Sequence, residues 1–498
     1  MRVSLMPPSP DGFDRAGLRF TFVVTAGIAA LLFAASYGPR LLWGLPPFDS
    51  DANETREVVQ FDAAIAEIRS RRGAREAAAL AAEQERNRVL DPSVISAPSI
   101  TEHIPKQGKF IGIDLAAMEL SLYKDRERIG RYPVLSKGRP GSHWETPTGN
   151  YTVLMKSPNH FSSIGGVFMP ESMQFFGNFF IHGWPYYSDG TLVERGYSGG
   201  CIRLSTDDAK QVFAFAERGT PLFVAAAGDA TAAPRGYDVR VRNRPRPSVS
   251  ARAYIVADVA SGAVFGEREA ERERPIASIT KLMSAIVANE TISFDRPISI
   301  IDPQARGVGD YGTLRQGAKF LVGDALYPLL LESNNAVAHA LARELGEEQF
   351  LAAMNAKAAA LSMHSTRFAD ASGISAGSVS TVRDLVSLAR YLVATKSFIL
   401  GITRTKTKDV TALDGTTYTF ANRNHLLTHE LFLGGKTGFT EEAGETMLTL
   451  FDVPIGGGRA TSTLAIIVLG SGEREEDTKA LLGWFKSAAV AVMKGGDG

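Results

Sequence analysis

Residues 20–37 contain no charge. Arg15 and Arg19 precede this run, and it continues to Pro39 before Arg40. An uncharged stretch of this length sits near the lower limit for crossing a bilayer. Basic residues in front of it place the N-terminus in the cytoplasm and everything beyond Arg40 outside. A cleaved signal peptide shares these features, and Ala34-Ala35-Ser36 offers small residues for cutting. The apolar run exceeds a usual signal core, which favours an uncleaved anchor. In either case the bulk of the 498 residues is expected to fold as exported protein, with a single cysteine, Cys201. Export permits disulfides, yet a lone cysteine has no partner within the chain, so its thiol needs another role.

The rest of the chain divides by composition. Residues 1–19 read as a cytoplasmic N-terminus, 20–39 as the anchor, and 40–107 as a helical spacer and linker. In that spacer, residues 55–90 lack proline and are rich in Ala, Glu, Arg and Leu, and Pro92, Pro98 and Pro105 follow. From Lys109 apolar and polar residues alternate, as in Phe110-Ile111-Gly112-Ile113-Asp114, so 108–226 is expected to be β-rich. Residues 227–250, with Pro234, Pro245, Pro247 and several arginines, read as a second linker. Residues 251–495 form a third region, which opens with a strand at 253–258. It is expected to close with strands at 446–451 and 462–469 and a helix at 478–493.

Lys plus Arg and Asp plus Glu both number 54, and no basic run is interleaved with aromatics, so nucleic-acid binding is excluded. The eight histidines form no ligand cluster, and no metal or organic cofactor is expected.

Cys201 lies in Ser198-Gly199-Gly200-Cys201-Ile202-Arg203, downstream of Ile181-His182-Gly183. A thiolate nucleophile with His182 as its base fits this pattern. Gly199 and Gly200 let substrate approach the backbone, whose N–H groups could stabilise an oxyanion. Arg203 can pair with a substrate carboxylate. Further along stand Ser278-Ile279-Thr280-Lys281, Ser333-Asn334-Asn335 and Lys436-Thr437-Gly438. The first lies in a helical pattern that opens with Pro275, where residues three apart share a face, so Lys281 can reach the Ser278 hydroxyl. Ser121-Leu122-Tyr123-Lys124 has the same spacing but lies in an alternating strand, where such positions face opposite sides. A lysine base must be neutral, which burial and a nearby second cation such as Lys436 would achieve.

The first constellation, together with Thr146-Pro147-Thr148-Gly149 upstream, resembles the L,D-transpeptidases of peptidoglycan. The likeness covers roughly residues 109–224. The second set resembles the penicillin-binding proteins, nearest the low-molecular-weight D-alanyl-D-alanine peptidases and their D,D-endopeptidase subgroup. Ala371-Ser372-Gly373-Ile374-Ser375, Asn422-Arg423-Asn424-His425-Leu426 and Gly435 to Thr440 carry that likeness further. The S-x-N motif of these enzymes can carry Asp in its middle position, where this chain has Asn334. Many members of the first family have a second histidine where this chain has Gly199, which bears on substrate fit there.

The resemblance implies a β-rich L,D-transpeptidase catalytic fold followed by an α/β serine β-lactamase/transpeptidase-like fold, with an antiparallel sheet flanked by helices. It implies catalytic roles for Cys201, His182, Ser278, Lys281 and Ser333. Ser198, Gly199, Gly200 and Arg203 in one module, and Asn335, Lys436, Thr437, Gly438 and Phe439 in the other, would bind substrate. The backbone N–H groups of Ser278 and Phe439 would form an oxyanion hole. Peptidoglycan stem peptides are the implied substrates, β-lactams the implied inhibitors, and the inner membrane the site of the N-terminal helix, with both modules in the periplasm. A reading of different class, a wall-binding scaffold with one or both modules inactive, remains open at this point.

Overall fold

The computed structural model describes residues 81–96, 99–225, 236–301, 314–458 and 460–493, with Ser70, Ala74 and Ala78. The expected anchor at 20–39 and most of the helical spacer lie outside these residues. Residues 81–87 are helical. Residues 83–498 form one compact unit.

The β-rich module contains two sheets. One is built from β1 (Lys109–Asp114), β2 (Glu119–Lys124), β3 (Glu127–Pro133), β4 (Gly149–Thr152) and β9 (Pro221–Ala225), in the order β3-β2-β1-β9-β4. The other is built from β5 (Met155–Ser162), β6 (Val167–Phe176), β7 (Phe179–His182) and β8 (Ile202–Arg203), in the order β8-β7-β6-β5. Their inward residues, among them Ile111, Leu120, Met173, Phe175 and Ile181, form one buried core with Ala209 and Val212 of α1 (Thr206–Phe215). Ser205 caps α1 by accepting from the Asp208 N–H, which satisfies a donor that the first turn leaves open.

The second module is an antiparallel sheet with helices on both faces, as the resemblance implied. Its strands are β11 (Ala253–Asp258), β12 (Ala263–Arg268), β13 (Phe432–Thr440), β14 (Gly444–Ile455) and β15 (Ala460–Ser471), in the order β12-β11-β15-β14-β13. One face packs on α2 (Thr280–Thr291), α3 (Asn335–Leu345), α4 (Glu347–Ala360) and α5 (Val382–Thr395). The other face is covered by α6 (Arg474–Ala488), through Leu481, Trp484 and Phe485.

Three segments differ from the sequence expectation. Within 227–250, Tyr237–Arg242 is a strand, β10, with Val239 and Val241 buried. It pairs with β16 (Ala489–Met493), where the last helix was expected to continue. That helix ends at Ala488 because Ala489-Val490-Ala491-Val492-Met493 is rich in β-branched valine, and a free strand edge receives it. The stretch before Gln107 is likewise not a plain linker: Val89–Leu90 pairs with β10 and Ser93–Val94 with β12.

Candidate active sites

Ser278 lies in a 3-10 turn, Ala277–Ile279, that runs into α2. The turn is entered through Ala277 at φ +47°, a left-handed conformation that a residue with a Cβ holds only when its surroundings enforce it. They do so here. The Ile276 carbonyl accepts from Thr446 Oγ1 on β14, and the Ala277 carbonyl faces Gly373 so closely that a Cβ there would stand 1.9 Å from it.

One helical turn on, Lys281 Nζ donates to Ser278 Oγ at 2.9 Å and to the Ser372 carbonyl at 2.7 Å. Lys281 is fully buried, and burial brings its pKa down to about 7, opposed by the Asp370 carboxylate. It therefore exists partly as the neutral amine that a general base requires.

Asp370 and Ser372 had no assigned role in the sequence. Asp370 accepts from the backbone N–H groups of Ser372, Gly373 and Ser375, and so shapes the loop that presents the Ser372 carbonyl to Lys281. The clue was Asp-x-Ser-Gly, the pattern of an Asx turn.

Ser333 sits at φ +61° with its Oγ buried and without a hydrogen-bond partner. Such a hydroxyl is unsatisfied until another group enters the site. Asn334 caps α3 by accepting from the Val337 N–H, work that Asp does equally well, and Asn335 is the first residue of that helix. On β13, Lys436 is buried, and Lys281, Arg474 and Arg423 add to burial in holding its pKa well below the ordinary lysine value. The sequence expectation had Lys436 lowering Lys281. The influence instead runs from Lys281 to Lys436, while burial accounts for the fall at Lys281. Arg474 was not foreseen. It donates to the Gly438 carbonyl and helps make this end of the sheet cationic, a fit for a carboxylate. A Cβ on Gly438 would stand 2.7 Å from the Ser278 nitrogen, so β13 runs directly beside the nucleophile. Thr437 is buried next to it, whereas Phe439 is exposed at the rim.

In the β-rich module the parallel pair β7 and β8 sets Ile181 against Ile202 and His182 against Arg203, so Cys201 enters one step before β8. His182 is buried, and its Nδ1 lies 2.6 Å from the Gly183 carbonyl. That contact requires Nδ1 to carry the proton and leaves Nε2 as the basic nitrogen. Burial lowers His182 to about 4 and raises the Cys201 thiol to about 11, so both are neutral near pH 7. Among the described residues no hydrogen bond joins them. The Cys201 Sγ instead lies 3.8 Å from the Asn178 carbonyl. The site as it stands therefore holds a neutral thiol beside a neutral imidazole.

Ser198 was expected at the substrate. Its hydroxyl instead ties the turn, accepting from the Gly200 N–H and donating to the Cys201 carbonyl. Gly200, at φ +103°, has the Phe179 ring 2.2 Å from where a Cβ would stand, so only glycine fits, whereas Gly199 is exposed beside Trp144. Arg203 lies over the Trp184 ring at 5.7 Å, with its buried Nε unpartnered.

Residues 240–451 match the D-alanyl-D-alanine carboxypeptidase family, and residues 108–224 match the L,D-transpeptidase catalytic domain. A D-alanyl-D-alanine endopeptidase of Escherichia coli K12 is 33% identical over 214 residues, 41% of this chain and 67% of that protein. One from Pseudomonas aeruginosa is 33% identical over 251 residues, 48% of this chain and 78% of its own. Among solved structures, penicillin-binding protein D2 from Listeria monocytogenes in its cefotaxime-bound form is 31% identical. It covers 48% of this chain and 99% of its own, with a TM-score of 0.43.

Proposed function

Because the chain belongs to the D-alanyl-D-alanine carboxypeptidase family and also carries an L,D-transpeptidase catalytic domain, we propose that it catalyses two successive reactions on peptidoglycan stem peptides. The observation that carries the first is the Lys281 to Ser278 hydrogen bond of 2.9 Å, made by a lysine whose pKa is about 7. Neutral Lys281 takes the Ser278 proton as Oγ attacks the carbonyl of a D-alanyl-D-amino-acid bond. The tetrahedral oxyanion is held at the backbone N–H groups of Ser278 and Phe439. Ser333 passes a proton to the departing amine, and water then releases the acyl group from Ser278. Asn335 would hold the substrate amide, while Lys436 and Thr437, with Arg474 nearby, receive the substrate carboxylate. The names of the relatives include both endopeptidase and carboxypeptidase, and each cuts the same type of bond.

In the second reaction His182 Nε2 takes the Cys201 proton, and Sγ attacks the carbonyl that precedes the terminal D-alanine of a tetrapeptide stem. D-alanine leaves, and the thioester is transferred to an acceptor amine. The unpartnered Arg203 Nε supports a carboxylate subsite beside the thiol. Residues 20–39 would anchor the enzyme in the inner membrane with both sites in the periplasm, where β-lactams acylate Ser278.

The serine site would thus make the tetrapeptide donor that the cysteine site consumes. Purified enzyme given D,D-cross-linked dimers without free tetrapeptide should yield L,D-cross-linked product. Ser278→Ala should yield none until tetrapeptide is added, and Cys201→Ser should yield none in either case. Product from Ser278→Ala alone would break the sequence of steps.

A further inference from the structure

The two modules share a buried seam, and the part of the serine module that builds it is the far end of the catalytic helix. Helix α2 begins beside Ser278 and ends at Thr291. Asn289 Nδ2 donates to the His143 carbonyl at 2.9 Å, and the Glu290 carbonyl accepts from the Asn178 N–H at 3.1 Å. Gly177, at φ +46°, permits this approach, since a Cβ there would stand 2.1 Å from the Glu290 oxygen. Gly149 does the same against α4, where a Cβ would meet the Ala360 carbonyl at 2.6 Å, and Ala360 itself lies in the core of the β-rich module. Behind these contacts Glu290 is fully buried between Lys357, at 2.9 Å, and Lys396, at 3.5 Å. Lys357 also donates to Tyr151 Oη across the seam, and Lys396 Nζ donates to the Glu145 carbonyl at 3.0 Å.

The two backbone segments held in this way are the ones that wall the cysteine. Asn178, pinned through its N–H, offers its carbonyl to Cys201 Sγ, and Phe179 packs on Gly200. In the other segment the His143 ring stacks on Phe294 of the serine module, with centroids 4.6 Å apart. The next residue, Trp144, places its carbonyl 3.0 Å from the Cβ position of Gly200 and its indole 3.7 Å from that of Gly199. Thr146 then donates to the Gly200 carbonyl at 2.9 Å. Every link between the seam and the thiol is one residue or one hydrogen bond long.

We infer that Asn289, Glu290 and Lys396 of the serine module are positioning residues for the Cys201 reaction, holding segments 143–146 and 177–179 against the nucleophile. Misplacing a nucleophile by about 1 Å costs on the order of a hundredfold in rate. These residues therefore act on catalysis at a site they do not touch. The kinetic part of this inference rests on the transfer reaction proposed above.

A readout that does not depend on that reaction is available because Cys201 is the only thiol in the chain. The test uses the full-length protein, Asn289→Ala and Gly177→Ala, with three measurements on each: iodoacetamide alkylation at fixed pH, transfer kcat and KM, and acylation of Ser278 by a fluorescent penicillin. Both variants should alkylate at least about fivefold faster and lose about tenfold in transfer kcat with KM little changed. Acylation should stay within about twofold, since the change lies at the opposite end of α2. A change in alkylation or transfer with acylation intact supports the inference. Wild-type behaviour in both overturns it, and so does acylation falling in step, which would place the damage in the serine module. A wild-type enzyme without transfer activity would defeat the proposed second reaction, while alkylation would still decide the seam.

Discussion

Lys281 is the residue on which the serine chemistry turns, and its environment separates two opposing influences. Burial favours the neutral amine, while Asp370 favours the ammonium ion. The ammonium ion cannot accept the Ser278 proton, so acylation by a β-lactam should fall about tenfold per pH unit below the Lys281 pKa and level off above it. With that pKa at about 7, the limb lies close to neutrality. Asp370→Asn removes the charge that raises Lys281, so the limb should move to lower pH, while one amide oxygen still accepts from the loop. Stopped-flow acylation across about pH 5 to 9 measures both. A limb that stays in place, or moves upward, would show that Asp370 does not act on the base electrostatically. Cys201 and His182 present the converse situation: burial keeps both neutral, so the proposed transfer reaction requires a charge separation that the buried pair does not hold by itself.

At the scale of elements, close backbone contact does what side chains do elsewhere. Gly373, at φ +81°, lies against the Ala277 carbonyl, whereas Gly415, at φ +86°, has open space around it. Alanine at either position meets the same backbone strain, of order 1 kcal/mol, but only Gly373→Ala drives a Cβ into the turn that carries Ser278. Gly373→Ala should slow acylation on the order of a hundredfold, with Gly415→Ala near wild type. Equal rates in the two variants would show that the loop at 370–375 does not hold the nucleophile's turn.

The elements around both nucleophiles were legible in the sequence because spacing carried them. Ser278 and Lys281 are one helical turn apart, and Ser121 with Lys124 falls in β2 as alternation required. The strand β10 was hidden because its alternation, Tyr237, Val239 and Val241 against Asp238, Arg240 and Arg242, sits among prolines and arginines that read as a linker. The seam was hidden for a different reason. Lys357 among the alanines of α4 and Lys396 after α5 look like solvated charges, and only the fold shows that both are fully buried on Glu290. Nothing in local sequence says where a charge finds its partner.

For the whole molecule, that seam decides whether the two modules behave as two bodies or one. Joined by a flexible tether, they would unfold separately and gain only proximity from their shared chain. Here residues 83–498 form one compact unit, with an ionic cluster and two tyrosine hydroxyls sealed inside it. Burying such a cluster adds little net stability, and breaking a buried pair outright costs about 3–5 kcal/mol, an upper bound for removing one of two lysines from a shared carboxylate. Calorimetry of the wild type should show a single transition for these residues, and acylating Ser278 with a penicillin should shift all of it. Lys357→Met removes the nearer of the two cations on Glu290, leaving Lys396 and the Tyr391 hydroxyl, and should lower that transition or split it in two. In a split, only the part containing the serine module should still respond to penicillin. Two transitions already present in the wild type, with one unmoved by penicillin, would mean that the seam does not couple the folding of the modules. In that case each site would have to be held by its own module alone.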